Sequence, residues 1–401
     1  RNKFSVELPN LEQEKAFRQS VRGGRTYKSK HKFVSEQYEA FHKGECSFED
    51  IKDFVIDADV VSLYPTAMTH YPYPVGECQE LAVGEHQMKG KMGIYFINYT
   101  TNKHLIHSIG GRRELKTGAL KWDLQDNTTG GWYTSIDIED MIANGYKVEI
   151  LKGYYWEEVE FIFKDYIEEL FKKKEAEAAA GRKGSGIYML TKLWMNGLYG
   201  KNIQRPIFNE SKIIKTNTEY WKFWGTHIIN DVTSVIGADN EIVWFVSGTP
   251  RQTKEKTECI TKPTHLGAFI LAYSRRIMVN FMKEANPQFD ISNNPSLENQ
   301  AKQIENDIYY TDTDSLQMHA RNANLIKDLG KKSLGGITDD LGDNCKIIKG
   351  LWIAPKLYML EYIKKGDPKP HFHFRGKGLN KDDLTENQFE SMAIGKELKN
   401  T

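Results

Sequence analysis

The sequence predicts an α+β fold, in which strands and helices are distributed along the chain in separate stretches. The apolar, β-branched segment 53–61 predicts a buried strand, and segment 307–318 predicts a β-hairpin whose tip reads T-D-T-D-S. Apolar residues recur at three- and four-residue spacing in segments 159–180, 187–200 and 265–282, which predicts three amphipathic helices.

Length and composition exclude two broad classes of protein. The 401 residues allow roughly two to three folding units. A hydrophobic fraction of 39% and a charged fraction of 27% are ordinary for a globular protein, and eight Trp, twenty Tyr and nineteen Phe supply more apolar area than disordered chains carry. No uninterrupted apolar run is long enough to cross a bilayer, so we expect no membrane partner.

Charge and cysteine content say less about function. The 55 basic and 54 acidic side chains give a net charge of +1, which by itself does not indicate a nucleic-acid partner. Cys46, Cys78, Cys259 and Cys345 are too far apart for a C-x-x-C metal pattern, so we predict free thiols in a reducing, intracellular compartment. We expect no targeting segment, and a fragment or a processed piece of a longer protein is the alternative.

The first predicted strand carries two carboxylates. Asp57 and Asp59 are two residues apart, so they face the same side of the strand at 53–61. Segment 62–65 then turns the chain toward a helix.

The next segments are less regular. Residues 76–133 mix Gly, Asn, Thr and Lys with short strand-like pieces such as 93–99, which indicates a surface insertion. Asp137 is then the predicted N-cap of a helix that ends at Gly145, and a strand follows at 148–151.

Two of the predicted helices form a helical hairpin. Segment 159–180 is followed by the glycine-rich, basic turn G-R-K-G-S-G at 181–186, and the second helix begins at about Ile187. A further helix is predicted at 265–282.

The hairpin tip places Asp312 and Asp314 side by side, and two such charges repel unless a cation neutralises them. An Asx turn on a surface hairpin is the alternative for this motif taken alone. Asp59, at the end of another predicted strand, supplies a third carboxylate. Hard oxygen ligands favour Mg²⁺ or Mn²⁺ over zinc, so we predict a divalent-metal site.

Four motifs resemble, in order, the polymerase motifs of family B DNA polymerases: D-V-V-S-L-Y-P (59–65), K-L-W-M-N-G-L-Y-G (192–200), Y-T-D-T-D-S (310–315) and K-L-Y (356–358). The order makes the resemblance specific. Insertions after the first and second motifs, and R-G-G at 22–24, are similar to the protein-primed branch of phages, adenoviruses and linear plasmids.

The resemblance implies a fold and its division along the chain. The expected fold is a family B palm, made of an antiparallel sheet with helices, together with two-helix fingers, a small thumb and two insertions. The implied parts are an N-terminal segment (1–50), palm (51–75, 134–158 and 263–355), an insertion similar to a terminal-protein region (76–133), fingers (159–201), a second insertion with palm strands (202–262) and a thumb (356–401).

The resemblance also implies a two-metal centre. Asp59 and Asp314 are the expected principal ligands of two Mg²⁺ ions, for which Mn²⁺ can substitute, and Asp312 is a supporting carboxylate. The carbonyl of Val60 is expected to reach the metal on the nucleotide side.

Six residues are implied in nucleotide binding. The backbone amides around Ser62, Leu63 and Tyr64 are expected to meet the triphosphate, and the Tyr64 ring to occupy the place that a ribose 2′-hydroxyl needs. A stacked core tyrosine is the alternative.

The other three lie on the second helix of the fingers. Lys192 and Asn196 are one helical turn apart and Tyr199 lies near their face. Lys192 is expected to contact phosphates, and Asn196 and Tyr199 to shape the pocket of the nascent base pair. A helix with a surface lysine and two structural polar residues is the alternative.

Further residues are implied in DNA contacts. Lys356 and Tyr358 would face one side of a strand and hold the primer near its 3′ end, with a solvated strand face as the alternative. Arg275 resembles the arginine of a template-binding element.

Upstream, Arg22, Gly23 and Gly24 would let the backbone approach a template phosphate, and a plain turn is the alternative.

The proofreading exonuclease of this family precedes the first motif and begins with D-x-E. Fifty-eight residues precede Asp59, too few for such a domain, so no exonuclease is expected in this chain. The D-x-E string at 137–139 falls between the first and second motifs, and we assign it to helix capping.

The function implied is a DNA-directed DNA polymerase that adds dNTPs to a primer 3′-hydroxyl, in protein-primed replication of a linear genome. The expected partners are template-primer DNA, dNTPs and a terminal protein. The compartment would be the host cytoplasm for a virus or an organelle for a linear plasmid. The alternatives are a polymerase-like DNA-binding protein without catalytic activity and an RNA-synthesising palm polymerase.

Overall fold

The computed structural model describes residues 5–101, 108–114, 120–122, 127–204, 210–236, 241–251, 262–286, 307–342, 344–377 and 385–393. The α-helices in these ranges are α1 (Leu11–Ser20), α2 (Tyr38–His42), α3 (Leu63–His70), α4 (Ser135–Ala143), α5 (Lys164–Ala179), α6 (Gly186–Ile203), α7 (Asn217–Thr226), α8 (Thr264–Ala285) and α9 (Glu386–Ala393). The strands there are β1 (Thr26–Lys28), β2 (Lys32–Val34), β3 (Val55–Val60), β4 (Tyr73–Val75), β5 (Gln79–Glu80), β6 (Met92–Thr100), β7 (Arg112–Arg113), β8 (Leu120–Lys121), β9 (Asn127–Thr134), β10 (Lys147–Trp156), β11 (Glu158–Glu160), β12 (Glu210–Ile214), β13 (His227–Ile236), β14 (Ile242–Pro250), β15 (Ile308–Asp312), β16 (Ser315–His319), β17 (Ile337–Asp339), β18 (Cys345–Ala354), β19 (Leu357–Lys364) and β20 (Asp367–Gly376).

The main sheet is antiparallel and has nine strands within the described residues. Its order is β1-β15-β16-β3-β18-β19-β20, and β17 and β2 pair with β3 and β18. The predicted α+β class, the buried strand at 53–61 and the hairpin at 307–318 are confirmed, as β3 and as β15 with β16. Strands β19 and β20 lie in the segment predicted as thumb, but they extend this same sheet.

A second antiparallel sheet has the order β5-β10-β6-β9. Its central strand β6 lies in the predicted surface insertion, yet Ile94, Tyr95 and Ile97 are fully buried. The surface location predicted for 76–133 is therefore wrong for this strand. The reason is visible in the sequence M-G-I-Y-F-I-N-Y-T, which is apolar on both faces, as strands covered on both sides are.

Helix α8 connects the cores of the protein. Its Met278, Phe281 and Met282 pack with residues of β3, while Phe269 and Ile270 pack with residues of α3 and α5. Because this helix is buried along almost its whole length, it holds the main sheet and the α5–α6 hairpin in one packed unit.

Helices α5 and α6 pack against each other and are joined by a turn in which Gly181 has a φ of 73°. The predicted helical hairpin is confirmed. Helix α6 leaves several large apolar side chains exposed, including Leu193 and Trp194.

Helix α4 corrects one prediction. Its N-cap is Thr134, whose side chain accepts a hydrogen bond from the Asp137 backbone N–H, so Asp137 is inside the first turn and is not the cap. Gly145 has a φ of 84° just after the helix, as expected for its C-terminal end.

Two sequence predictions concern the cysteines and the membrane. Cys46, Cys78 and Cys345 are free thiols, and Cys259 lies outside the described residues. No helix in the described ranges is long and apolar enough to cross a lipid bilayer.

Candidate active site

A cavity of about 530 Å³ lies at the end of the main sheet where β3 and the β15–β16 turn meet. The predicted site residues that line it are Asp59, Tyr64, Tyr199, Asp312, Asp314, Lys356 and Tyr358. The structure therefore brings residues of all four sequence motifs to one cavity.

Strand pairing places the two principal carboxylates together. Antiparallel pairing of β16 with β3 sets Ser315 opposite Asp59. The backbone N–H of Val60 donates to the carbonyl of Asp314 over 2.9 Å. Val60 itself is buried and lines a neighbouring cavity of about 370 Å³, between α3, α8 and β17, and not the carboxylate cavity.

The turn between Asp312 and Asp314 is tight. Thr313 has a φ of 67°, and its N–H donates to the Arg25 carbonyl over 2.7 Å. Gly24 packs on this turn so closely that a Cβ there would lie 2.9 Å from Thr313 Cγ2 and 3.0 Å from its Cα. A Cβ at Gly23 would meet no atom within 4 Å. Of the two glycines, Gly24 is therefore the one whose missing side chain shapes the carboxylate turn.

The carboxylates of the cavity destabilise one another's charges. Burial, and next the Asp314 carboxylate, raises the pKa of Asp59 to about 8. Burial also raises the pKa of Asp314 to about 6, with Asp312 contributing in the same direction. Such a group of like charges favours a bound cation.

The donor atoms fit a hard divalent cation. They are carboxylate oxygens, and one of them, Oδ1 of Asp57, is buried without a hydrogen-bond partner among the described residues. In the same ranges, no three His, Cys, Asp or Glu side chains are grouped so that they could hold one ion together. A cation would therefore be held by one or two carboxylates, with its other ligands from water or substrate.

The first motif continues into the start of α3. Ser62 is the N-cap residue, with a φ of 55°, and its side chain makes no capping hydrogen bond. Leu63 is buried, and the ring of Tyr64 stacks on the ring of Tyr199, with centroids 4.0 Å apart and planes 27° apart. Tyr64 and Tyr199, each predicted separately as a site residue, thus form one aromatic wall of the cavity.

Lys192 and Asn196 lie on α6, one turn apart, and do not line the cavity. Lys192 is exposed, and its charge lowers the pKa of Asp59 against the larger effect of burial. Its ammonium group is therefore near enough to act on the cavity electrostatically.

Lys356 and Tyr358 reach the cavity in different ways. Lys356 lies in the turn before β19, with a φ of 61°, and not on the strand as predicted. Its Nζ lies 2.6 Å from Oδ1 of Asp312. Tyr358 lies on β19 and packs against Tyr310, with ring centroids 5.0 Å apart.

Arg275 and Arg22 are both 4% exposed, so their location does not fit the predicted direct contact with template DNA. The Arg275 guanidinium donates to both carboxylate oxygens of Asp137 over 2.8–3.0 Å, and to the carbonyl of Arg22. The Arg22 guanidinium lies 3.7 Å from the centroid of the Tyr133 ring and donates to the Gly111 carbonyl over 3.1 Å. Arg275 is buried because its guanidinium pairs with the carboxylate of Asp137, the residue that the sequence pattern assigns to helix capping.

Four ionisable cavity residues have no role assigned from the sequence: Asp57, Asp340, His373 and Arg375. The spacing of Asp57 from Asp59 gave a signal, because both face one side of a strand. Asp340 lies on an exposed bend, and His373 and Arg375 alternate on β20 in the sequence H-F-H-F-R, a pattern with no specific chemical meaning alone.

Paired carboxylates at the end of an antiparallel sheet, beside a helical hairpin, define the class of palm-fold polymerases. The chain belongs to the family described as DNA polymerase type B, organellar and viral, whose sequence profile matches residues 43–287, more than half of the chain. The predicted membership in family B is confirmed.

Relatives and solved structures agree with this assignment. The chain is 24% identical over 363 residues to a probable DNA polymerase of Podospora anserina, covering 84% of this chain and 27% of the relative. It is 26% identical over 352 residues to a DNA polymerase of Kluyveromyces lactis, covering 83% and 31%. Phi29 DNA polymerase complexed with primer-template DNA has a similar fold, with a TM-score of 0.64 and 19% identity over 96% of this chain and 59% of that one. The chain thus spans about a third or less of these curated relatives.

Proposed function

We propose that this chain catalyses template-directed DNA synthesis, adding dNTPs to a primer 3′-hydroxyl with release of pyrophosphate. The observation that carries the proposal is the convergence of Asp59 and Asp314 on one cavity, in a chain of family B. The names of the relatives and the fold of phi29 polymerase support it.

The carboxylates of Asp59 and Asp314 would hold two Mg²⁺ or Mn²⁺ ions, with Asp312 in support. Bound there, the ions would activate the primer hydroxyl and stabilise charge on the leaving pyrophosphate.

The N-terminal end of α3 would bind the triphosphate of the incoming nucleotide. Because the Ser62 side chain makes no capping hydrogen bond, the backbone N–H groups of Leu63 and Tyr64 remain for phosphate oxygens at the positive end of the helix. Lys192 would attract the phosphates from α6 as a point charge.

The aromatic wall would determine sugar selection. The Tyr64 ring, supported by Tyr199, would exclude a ribose 2′-hydroxyl, and Asn196 would help to shape the pocket of the nascent base pair.

For the DNA, Lys356 and Tyr358 would hold the primer terminus, while Gly23 and Gly24 would let the template strand approach the backbone. Arg22 and Arg275 would position these segments from inside the protein. Protein priming by a terminal protein, replication of a linear genome, and location in host cytoplasm or an organelle extend the proposal.

Primer extension tests the proposal directly. The 401-residue chain is incubated with a primer-template, dNTPs and Mg²⁺. We expect extension by the wild type and by Asp328→Asn, a control at the exposed pair with Lys331, and no extension by Asp314→Asn. DNA binding without extension by the wild type would favour the non-catalytic alternative. Preferred incorporation of rNTPs would favour the RNA-synthesising alternative.

A further inference from the structure

The carboxylate of Asp57 has one oxygen that the protein does not use. Asp57 lies two residues before Asp59 on β3, is 7% exposed and lines the carboxylate cavity. Its Oδ2 accepts a hydrogen bond from Nε2 of Gln317 over 3.0 Å. Its Oδ1 is buried and has no hydrogen-bond partner among the described residues. A buried carboxylate oxygen without a partner is costly unless a ligand satisfies it.

The orientation of this carboxylate is fixed by its neighbours. The indole N–H of Trp352 can only donate, and it donates to the amide oxygen of Gln317. The amide NH₂ of Gln317 must therefore point the other way, toward Asp57, and cannot exchange places with the oxygen. Asp57 is held through Oδ2, so Oδ1 is the oxygen left without a partner among the described residues.

A second carboxylate lies beside it. The backbone N–H of Asp340 donates to the Asp57 carbonyl over 2.8 Å, and the preceding residue, Asp339, pairs with Ala58 across β17 and β3. Asp340 lines the same cavity from an exposed bend. Neither Asp57 nor Asp340 belongs to the Asp59–Asp314 pair.

We propose that Asp57 and Asp340 form a further divalent-cation site in the cavity, next to the Asp59–Asp314 pair. Each carboxylate supplies oxygen ligands to one Mg²⁺ or Mn²⁺, and water completes the coordination shell, as is common where Mg²⁺ is held by one or two carboxylates. Binding of this ion does not require polymerase activity. A role for it in DNA synthesis rests on the proposed function.

The test measures Mn²⁺ bound to the full chain by electron paramagnetic resonance, without DNA or nucleotide. The Asp59→Asn/Asp314→Asn double variant separates the new site from the predicted metal pair. We expect this variant to retain one bound Mn²⁺, and addition of either Asp57→Asn or Asp340→Asn to weaken that binding at least tenfold. Asp328→Asn in the same background is the matched control, because Asp328 lies outside this cavity, and it should leave the ion in place.

Circular dichroism and thermal unfolding verify that each variant is folded. Asp57 is buried, so Asp57→Asn can fail to fold. Asp340 lies on an exposed bend, so Asp340→Asn still provides a valid test in that case. The proposal is overturned if the double variant binds no Mn²⁺, or if the folded Asp57 and Asp340 variants bind it as the double variant does.

Primer extension by the wild type separates this inference from the proposed function. If the wild type extends the primer but Mn²⁺ binding does not depend on Asp57 or Asp340, only the further site is overturned. If Mn²⁺ binding depends on both residues but the chain does not extend the primer, the further site is supported and the proposed function fails.

Discussion

The ammonium nitrogen of Lys356 lies 2.6 and 2.8 Å from the two carboxylate oxygens of Asp312, across the edge of the carboxylate cavity. The pair joins the last sequence motif to the third. The N–H of Lys356 also donates to the Tyr310 hydroxyl over 2.8 Å, which fixes the turn that carries the lysine. The charge of Asp312 is therefore compensated from within the protein.

Replacement of Lys356 should show how much this charge compensation contributes to primer extension. In Lys356→Met, the uncompensated Asp312 adds negative charge beside Asp59 and Asp314, so we expect primer extension to slow at least about tenfold, or ~1.4 kcal/mol. Asp312→Asn in the same chain should remove part of this penalty. Single-turnover extension rates of the four members of the double-mutant cycle measure the coupling, which we expect at about 0.5–3 kcal/mol. Strictly additive effects would mean that the pair does not act as a unit.

The two glycines of R-G-G offer a matched pair. A methyl group at Gly24 would contact the Thr313 backbone at 3.0 Å and displace the turn between Asp312 and Asp314, whereas one at Gly23 would meet nothing. We expect Gly24→Ala to cost about 1–3 kcal/mol of stability and to reduce extension, and Gly23→Ala to keep the stability of the wild type. Urea unfolding and primer extension measure the two effects. Equal behaviour of both variants would contradict the packing argument.

The stacked rings of Tyr64 and Tyr199 predict a change in sugar selectivity. Tyr64→Val removes the ring that would exclude the 2′-hydroxyl, so the preference for dNTP over rNTP should fall at least about tenfold, while Tyr64→Phe should keep it. The ratio of kcat/KM for the two nucleotides is the measurement. An unchanged preference in Tyr64→Val would make the gate assignment wrong.

The buried pair of Asp137 and Arg275 predicts a loss of stability. Burial alone would raise the pKa of Asp137, but Arg275 and then Arg22 outweigh it, so the pKa lies below its ordinary value. Arg275→Met leaves a buried carboxylate without its main partner, which should cost about 3–5 kcal/mol in urea unfolding. Arg182→Met, which removes an ion pair of a solvent-exposed guanidinium with Glu177, should leave the stability nearly unchanged. Unchanged stability with weakened DNA binding would instead support direct template contact by Arg275.

The sequence predicted those elements whose signal is local. Strand β3 and the β15–β16 hairpin have their own apolar patterns, and the motif resemblance predicted that Asp59 and Asp314 belong to one site. Helices α5, α6 and α8 follow from three- and four-residue spacing alone.

Pairings between distant segments were not predictable in this way. Asp137 and Arg275 are 138 positions apart, and each had a sufficient local explanation, capping for one and a template element for the other. Polar, glycine-containing segments surround strand β6, and this local pattern predicts a surface location that the burial of the strand contradicts. Asp340 enters the cavity only through the pairing of β17 with β3, which no local pattern encodes.

His265 predicts how stability depends on pH. Its ring stacks on Trp156 with centroids 5.0 Å apart, its Nδ1 has no partner among the described residues, and burial lowers its pKa to about 3. The unfolded chain, with an ordinary histidine pKa near 6.5, binds more protons below that pH, so stability is full above about pH 6.5 and is lost as pH falls toward 3. His265→Phe should remove this contribution, of up to about 1.4 kcal/mol per pH unit. Urea unfolding between pH 7.5 and 4.5 measures it. If His265→Phe and the wild type lose stability equally on acidification, the buried imidazole is not the cause.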